Sequence, residues 1–419
     1  MIGAIDPNCK RVTVVGAGAS GLFAAYYLDR GGYEVTLVEA NDKVGGLIST
    51  SHTSFGLAER AANSMIQTPE LQELCSALGV RISPLREDSR SKYIYRNGKL
   101  RKFPLSIGET FRLLSCFLKK NKTVSKDMES WARTYLGDDG FRYLIDPMIT
   151  GIYGTDAKNI SVSAAFPQLS IAPGKRGVSL LRKKKDSGSR GRGPIVSVNG
   201  GLEVLFHRLG EHLQSRLGDR FRLNTKCVNL KDYDENLVLC VPAHISAELL
   251  ISENPELSNL LAQTQYTSMV SAGVFVAKEQ LNSVPQGLGV LIPSGSGLKT
   301  LGVLFSSSSF EGRVSSSDHA LLTVLLGGSR DPDMVHSSDG VLHEVICNDL
   351  GKLFGLRGDP LHIEINRWPQ AIPVYSNHLE KVWSLASSTW CSRPGRVLFG
   401  NYTGQVSLRG MLGSASGIV

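Results

Sequence analysis

Residues 11–39 read RVTVVGAGASGLFAAYYLDRGGYEVTLVE, and this stretch constrains the fold more than any other. A β-branched run (11–15) meets a GxGxxG turn (16–21). An apolar segment of helical composition follows, and then a second β-branched run, Tyr33 to Glu39. Such a unit is a strand, a crossover helix and a parallel strand. Gly16 permits the tight turn, Gly18 lets the backbone approach a pyrophosphate, and Gly21 lets helix and strand pack closely. The helix start then offers N–H groups and partial positive charge to phosphate. Glu39, 21 residues beyond Gly18, can accept hydrogen bonds from ribose hydroxyls and would repel a 2′-phosphate. The expected ligand is an unphosphorylated adenosine dinucleotide.

The remaining pattern alternates strands and helices. Helices are expected at 70–79, from about 106 to 145, at 202–213 and near 340–354. Strands are expected at 221–230, 236–243, across 270–330 and at 396–400. Residues 92–104 read as a hairpin turning at Asn97-Gly98. With 419 residues, two or three intertwined domains are expected. Hydrophobic residues at 42% and charged residues at 20% exclude a disordered or fibrous chain. A net charge of +8 favours an anionic ligand or surface, but the interleaved aromatics and basic recognition helix of a nucleic-acid binder are missing. Seven scattered cysteines without a CxxC pair disfavour a disulfide framework and a structural zinc, so no metal is expected and a reducing compartment fits. No apolar run reaches the ~18–20 residues of a membrane span, and no secretory leader precedes the first strand. Phe111, Leu113, Leu114, Phe117 and Leu118 interleave with Lys119, Lys120 and Lys122, a basic amphipathic stretch that either packs on a neighbour or rests on an anionic bilayer. Residues 182–193 (RKKKDSGSRGRG) read as a solvated loop.

The run EANDKVGGLIST (39–50) resembles the second half of the FAD signature of amine oxidase-like flavoproteins. Within that superfamily the chain is similar, over nearly its whole length, to the oxygen-dependent protoporphyrinogen oxidases. The similarity lies in ERAANSM (59–65), MITGIYGTDAKNISVSAAFP (148–167), VNGGLEVL (198–205), LKTLGVLFSSSSF (298–310) with LLTVLLGGSR (321–330), RWPQAIPVY (367–375) and LFGNYTGQVSL (398–408).

The resemblance implies an α/β fold with three parts. A Rossmann-type FAD-binding domain would comprise 1–90, 195–245 and 362–419. A mixed-sheet substrate domain would be interleaved with it at 91–105 and 246–361. A helical membrane-facing subdomain would span 106–194. It also implies site residues. FAD would contact Gly16, Ala17, Gly18, Ala19, Ser20 and Gly21 at the pyrophosphate, Glu39 at the ribose, and the adjoining Ala40. Lys43, Gly45, Gly46 and Leu47 would lie beyond. Ala61, Ala62, Asn63 and Ser64 would approach the flavin ring, with Ala61 in place of the family's glycine. Val228 would meet the adenine side, and Asn401, Val406, Ser407 and Leu408 would close over the isoalloxazine. For the porphyrinogen, Lys92 stands where the family has arginine, with Arg96 able to share its role. Gly151 would supply a backbone surface. Leu291, Leu304 and Leu325 would clamp the macrocycle, Leu325 replacing a frequent phenylalanine.

The implied reaction removes six hydrogens in three two-electron rounds, with dioxygen reoxidising the flavin to give hydrogen peroxide. No general base is identified: His52, His207 and His378 are available, but none falls in a motif, and GxSxG is absent. The expected setting is cytoplasmic, peripherally attached to the inner face of the cell membrane, and a homodimer is possible. Coproporphyrinogen is the alternative substrate. Two further readings compete: an amine oxidase or desaturase, and a carrier like the GDP-dissociation inhibitors that has lost its FAD. The leucine set argues against an amine cage, and the intact pyrophosphate loop against the carrier.

Overall fold

The computed structural model describes residues 1–102, 125–170, 193–233 and 235–419. The amphipathic stretch 111–122 and, except for Gly193, the basic loop 182–193 lie outside them.

The β-branched run Arg11–Val15 becomes the centre of a parallel sheet. It is flanked by Glu34–Val38 and Asn236–Leu239, with Phe221–Arg222 and Arg396–Leu398 as the two edges. Val12, Thr13 and Val14 are all but inaccessible, as a strand covered on both faces requires. Helix Ala19–Arg30 buries Leu22, Phe23, Ala24, Ala25 and Leu28 against the core shared with helices Glu203–Leu217 and Leu408–Ala415. Helix Pro69–Ala77 starts at Thr68, whose hydroxyl accepts the Leu71 N–H at 3.2 Å, and the chain turns away at Gly79 with φ 64°.

The expected strand 221–230 is only two residues long. Asn224 adopts φ 51°, and the Asn224 and Thr225 N–H groups bond to Asn41 O and Glu39 O at 3.0 and 2.8 Å. The chain therefore leaves the sheet to line the end of the neighbouring strand. The strand at 236 likewise stops at Leu239, because Pro242 opens helix Ala243–Leu250.

A second, seven-stranded mixed sheet runs in the order His362–Pro373, Tyr266–Ala277, His319–Gly327, Gly302–Leu304, Gly289–Leu291, Lys92–Arg96, Lys99–Lys102. Asn97 and Gly98 turn its last hairpin with φ 52° and 74°, the two positive values a two-residue turn demands. The strand His362–Pro373, which the resemblance places in the FAD-binding domain, pairs with Tyr266–Ala277 in this sheet. Its twelve residues match the length of that partner, and the parallel sheet offers it no free edge of that length.

One face of the mixed sheet carries Val290, Val303, Val324, Ala272 and Val270, fully buried beneath Leu342, Ile346 and Leu350 of helix Asp339–Phe354. A third core joins helices Met128–Gly140, Asp146–Tyr153, Ala243–Leu250, Pro255–Ala262 and Asn377–Ser388 around Trp131, Tyr135, Tyr153, Tyr375 and Trp390. Within the stretch from about 106 to 145 expected to be helical, Gly137 with φ 75° interrupts the first of these helices.

Candidate active site

The carboxyl ends of the parallel strands form a crevice made largely of backbone. Gly16 sits at φ 97°, and a Cβ there would lie 2.9 Å from Cys240 O. A Cβ on Gly21 would strike Gly16 O at 1.8 Å, so helix and strand touch as the motif requires. Gly18 is different: a Cβ there would have only Gly46 Cα within 4 Å, at 4.0 Å. The second glycine loop closes onto the first. The Gly45 N–H donates to Ala17 O at 2.8 Å, and Gly45 and Gly46 take φ 98° and 61°. Helix Ala19–Arg30 starts at Gly18 with neither a side-chain cap nor an acidic residue in its first turn, which leaves its leading N–H groups to a ligand.

The Glu39 carboxylate is held at the crevice by three donors: Ala17 N–H at 2.7 Å, Asn41 N–H at 2.9 Å and Asn41 Nδ2 at 2.7 Å. Ala40, Lys43 and Leu47 are exposed beside it, Leu47 by 40%. Val228, on the segment that Thr225 ties to Glu39, is 78% exposed. Asn401 follows the edge strand Arg396–Leu398, and its carbonyl accepts the Tyr375 hydroxyl at 2.5 Å. Val406 is half-buried. Ser407 caps helix Leu408–Ala415 by accepting the Gly410 N–H at 3.1 Å, while the Leu408 side chain is buried in the adjoining core.

Residues 61–64 connect this crevice to the mixed sheet. Asn63 Oδ1 accepts from Thr323 and Ser306 at 3.3 and 3.4 Å, and Ala61, Ala62 and Ser64 are half-buried alongside. The sheet face presented here is opposite the valine face. Register places Leu291 against Gly302, Gly302 against Leu325, and Leu304 against Gly289 and Thr323. Side chains two apart share a face, so Leu291, Leu304 and Leu325 stand together. Each is half-buried, whereas the intervening valines are sealed.

Gly151 is brought to this face by helix Asp146–Tyr153; a Cβ on it would lie 2.6 Å from Leu291 Cδ2. The helix is pinned there by Asp146, which accepts the Ser294 N–H and hydroxyl at 2.9 and 3.0 Å. Arg330 lies 3.8 Å from the same carboxylate and donates to Ile292 O at 2.7 Å. Burial pushes the Arg330 pKa down, opposed by Asp146 and Asp156. Lys92 pairs in register with Gly289 on the leucine side of the sheet and is exposed. Arg96 stacks over the Tyr143 ring at 3.9 Å. His52 and His207 are exposed, and His378 bonds Leu260 O at 2.9 Å; none of the three lies on the leucine face.

Three features escape sequence reading. Glu59 and Arg313 form a buried ion pair that also gathers Thr50, Ser197 and the Leu202 N–H. Ser271 and Asn366 face each other across two strands, on the face that carries Leu325; Ser271 Oγ and Asn366 Nδ2 are buried without a partner. Four tyrosines surround the helical side. Burial raises Tyr153 and Tyr266 to about 12 and pushes Tyr375 and Tyr402 higher still.

A flavin dinucleotide fits this arrangement. The open Gly18 side leaves room for a pyrophosphate, Leu47 and Val228 offer bare apolar surface, and Ser271 and Asn366 leave polar atoms unanswered on the face beyond. A family model described as flavin containing amine oxidoreductase matches residues 19–415. Protoporphyrinogen oxidase 2, chloroplastic/mitochondrial, from Arabidopsis thaliana is 29% identical, over 95% of this chain and 91% of that protein. Coproporphyrinogen III oxidase from Bacillus subtilis (strain 168) is 23% identical, over 93% of each. A crystal structure from Exiguobacterium sp. 255-15, carrying a provisional protoporphyrinogen oxidase name, superposes with TM-score 0.75 at 23% identity, covering 99% of this chain and 98% of that one. The fold, the crevice at the strand ends and the match across nearly the whole chain lead to one assignment: the chain belongs to the flavin containing amine oxidoreductase family.

Proposed function

We propose that this chain oxidises protoporphyrinogen IX to protoporphyrin IX, with dioxygen as final acceptor. The observation that carries the reading is the trio Leu291, Leu304 and Leu325, half-open on one sheet face and backed by sealed valines. A broad, apolar macrocycle suits that surface, and an ammonium substrate does not. Bound FAD would supply the two-electron redox chemistry. The chain's own residues bind and orient. Gly18, Gly45 and Gly46 bring backbone to the pyrophosphate, Glu39 takes the ribose, and Asn63 anchors the segment between nucleotide and substrate faces. Lys92 meets a substrate carboxylate as a point charge rather than a bidentate fork.

Coproporphyrinogen III is the second reading, carried by the Bacillus subtilis relative. It bears more carboxylates on the same ring, and the aliphatic face favours the substrate with fewer. Peripheral attachment through 106–194 to an anionic membrane face completes the proposal. Among the described residues no helix is long and apolar enough to cross a membrane, and the net charge of +8 favours an anionic surface. Sedimentation with anionic but not neutral vesicles tests that attachment.

Anaerobic mixing of the yellow protein with protoporphyrinogen IX should bleach the flavin, and admitting air should restore it together with porphyrin fluorescence. Faster bleaching by coproporphyrinogen III would reverse the substrate order. Bleaching by neither, with flavin bound, would sink both readings. Lys92→Ala should raise KM while leaving the flavin spectrum unchanged; an unaltered KM removes Lys92 from the pocket.

A further inference from the structure

Helix Asp339–Phe354, on the sealed valine side of the mixed sheet, turns His343 and Cys347 outward at i, i+4 spacing. Asp359, in the loop that leads to strand His362–Pro373, comes up beside them. His343 Nε2 stands 3.6 Å from Asp359 Oδ1 and 3.8 Å from Cys347 Sγ, and all three ligand atoms fall within 4.8 Å of one another. Bonds of about 2.0–2.3 Å to a tetrahedral ion place neighbouring ligands roughly 3.4–3.6 Å apart. The triangle already approaches that size, and the exposed side leaves a fourth position to water.

Both walls of the triangle are fixed. Leu342, Ile346 and Leu350 anchor the helix in the core. The loop is tied to the turn at 278–280: the Gln280 side chain donates to Arg357 O and Asp359 O at 3.2 and 2.6 Å, and the Arg357 N–H returns to Gln280 O at 2.9 Å. The donor set of thiolate, imidazole and carboxylate suits a borderline-soft ion and disfavours Mg²⁺ or Ca²⁺.

We propose that His343, Cys347 and Asp359 bind a zinc ion that staples this helix to the edge strand carrying Glu364 and Asn366. The sequence alone leads one to expect no metal, because H-x3-C with a distant aspartate matches none of the paired-cysteine spacings. The site lies on the face of the sheet away from the leucines and is independent of the redox reading.

Cobalt reports it directly. Titrating Co²⁺ into the chelator-treated, flavin-loaded protein should produce a thiolate-to-cobalt charge-transfer band that saturates at one equivalent and is displaced by Zn²⁺. Cys347→Ser should abolish the band, with an unchanged flavin spectrum and far-ultraviolet circular dichroism showing that the protein is folded. His343→Ala should weaken Zn²⁺ binding at least as much as the roughly 10–100-fold loss that follows removal of an outer-shell partner. Cys9, the other half-buried cysteine among the described residues, provides the control: Cys9→Ser should leave the band intact. No band in the parent protein, or a band that survives Cys347→Ser, overturns the site. Should the cysteine variant fail to fold, unchanged Zn²⁺ affinity in His343→Ala does so.

Discussion

Arg313 and Glu59, 254 positions apart in the chain, meet at 2.7 Å with both side chains almost wholly buried. The carboxylate also receives the Leu202 N–H and the Thr50 hydroxyl, and the guanidinium donates to Ser197. One ion pair thus fixes the hairpin of strands Thr50–Thr53 and Gly56–Glu59 to the start of helix Glu203–Leu217 and to the loop before strand His319–Gly327.

Removing one partner strands a buried charge, so Arg313→Met or Glu59→Gln should each cost about 3–5 kcal/mol. Urea midpoints will show it. The double variant should lose less than the sum of the singles, because neither charge is then left alone. Strict additivity would mean that the pair is not coupled.

The motif glycines separate folding from ligand binding. Gly21→Ala drives a Cβ into Gly16 O and should prevent accumulation of folded protein. Gly18→Ala meets nothing closer than 4.0 Å and should fold, with native circular dichroism, yet retain little flavin after gel filtration. Full flavin content in Gly18→Ala would argue that no pyrophosphate packs there.

Gly151→Ala probes the substrate face. The new methyl would press the flexible end of Leu291 at 2.6 Å, so the fold survives while the leucine shifts. On the porphyrinogen reading, KM should rise about tenfold, the lower end of what one methylene in an apolar pocket is worth. The flavin spectrum should be unchanged. A KM equal to that of the parent would place the macrocycle elsewhere.

Alkaline stability should reflect the buried tyrosines. Tyr153 is 5% exposed, and burial raises its pKa from 10.0 to about 12. Between those values the unfolded chain releases the phenolic proton and the folded chain keeps it. The folded state then binds more protons, and stability falls as pH rises from 10 to 12, by up to about 1.4 kcal/mol per pH unit for this group. Denaturation midpoints of Tyr153→Phe should fall less steeply over that window. An identical slope would show that Tyr153 ionises freely in the native state.

Legibility follows locality. The strand–GAGASG–helix unit and the Asn97-Gly98 turn are contiguous, and each residue's role is dictated by its immediate backbone. Glu39 is reachable because the crossover helix has a standard length. Leu291, Leu304 and Leu325 emerge only through resemblance to a family, since an apolar strand residue looks the same whether it faces a core or a cavity; register separates them from Val290, Val303 and Val324. Composition suggests a longer strand at 221–230, and Asn224 overrides it by turning toward Asn41. The partner of strand His362–Pro373 and the Glu59–Arg313 pair depend on contacts between distant segments, which no spacing encodes; His343 and Cys347 stand one helical turn apart, but only the fold of the following loop brings Asp359 to them.

The alternation of sealed valines and half-open leucines divides labour within single strands. On the porphyrinogen reading, reshaping Leu291, Leu304 or Leu325 would redraw what the chain accepts while the opposite side keeps the sheet intact. Single substitutions at these three positions would therefore change the open face one residue at a time, without the collapse that usually accompanies change in a protein interior.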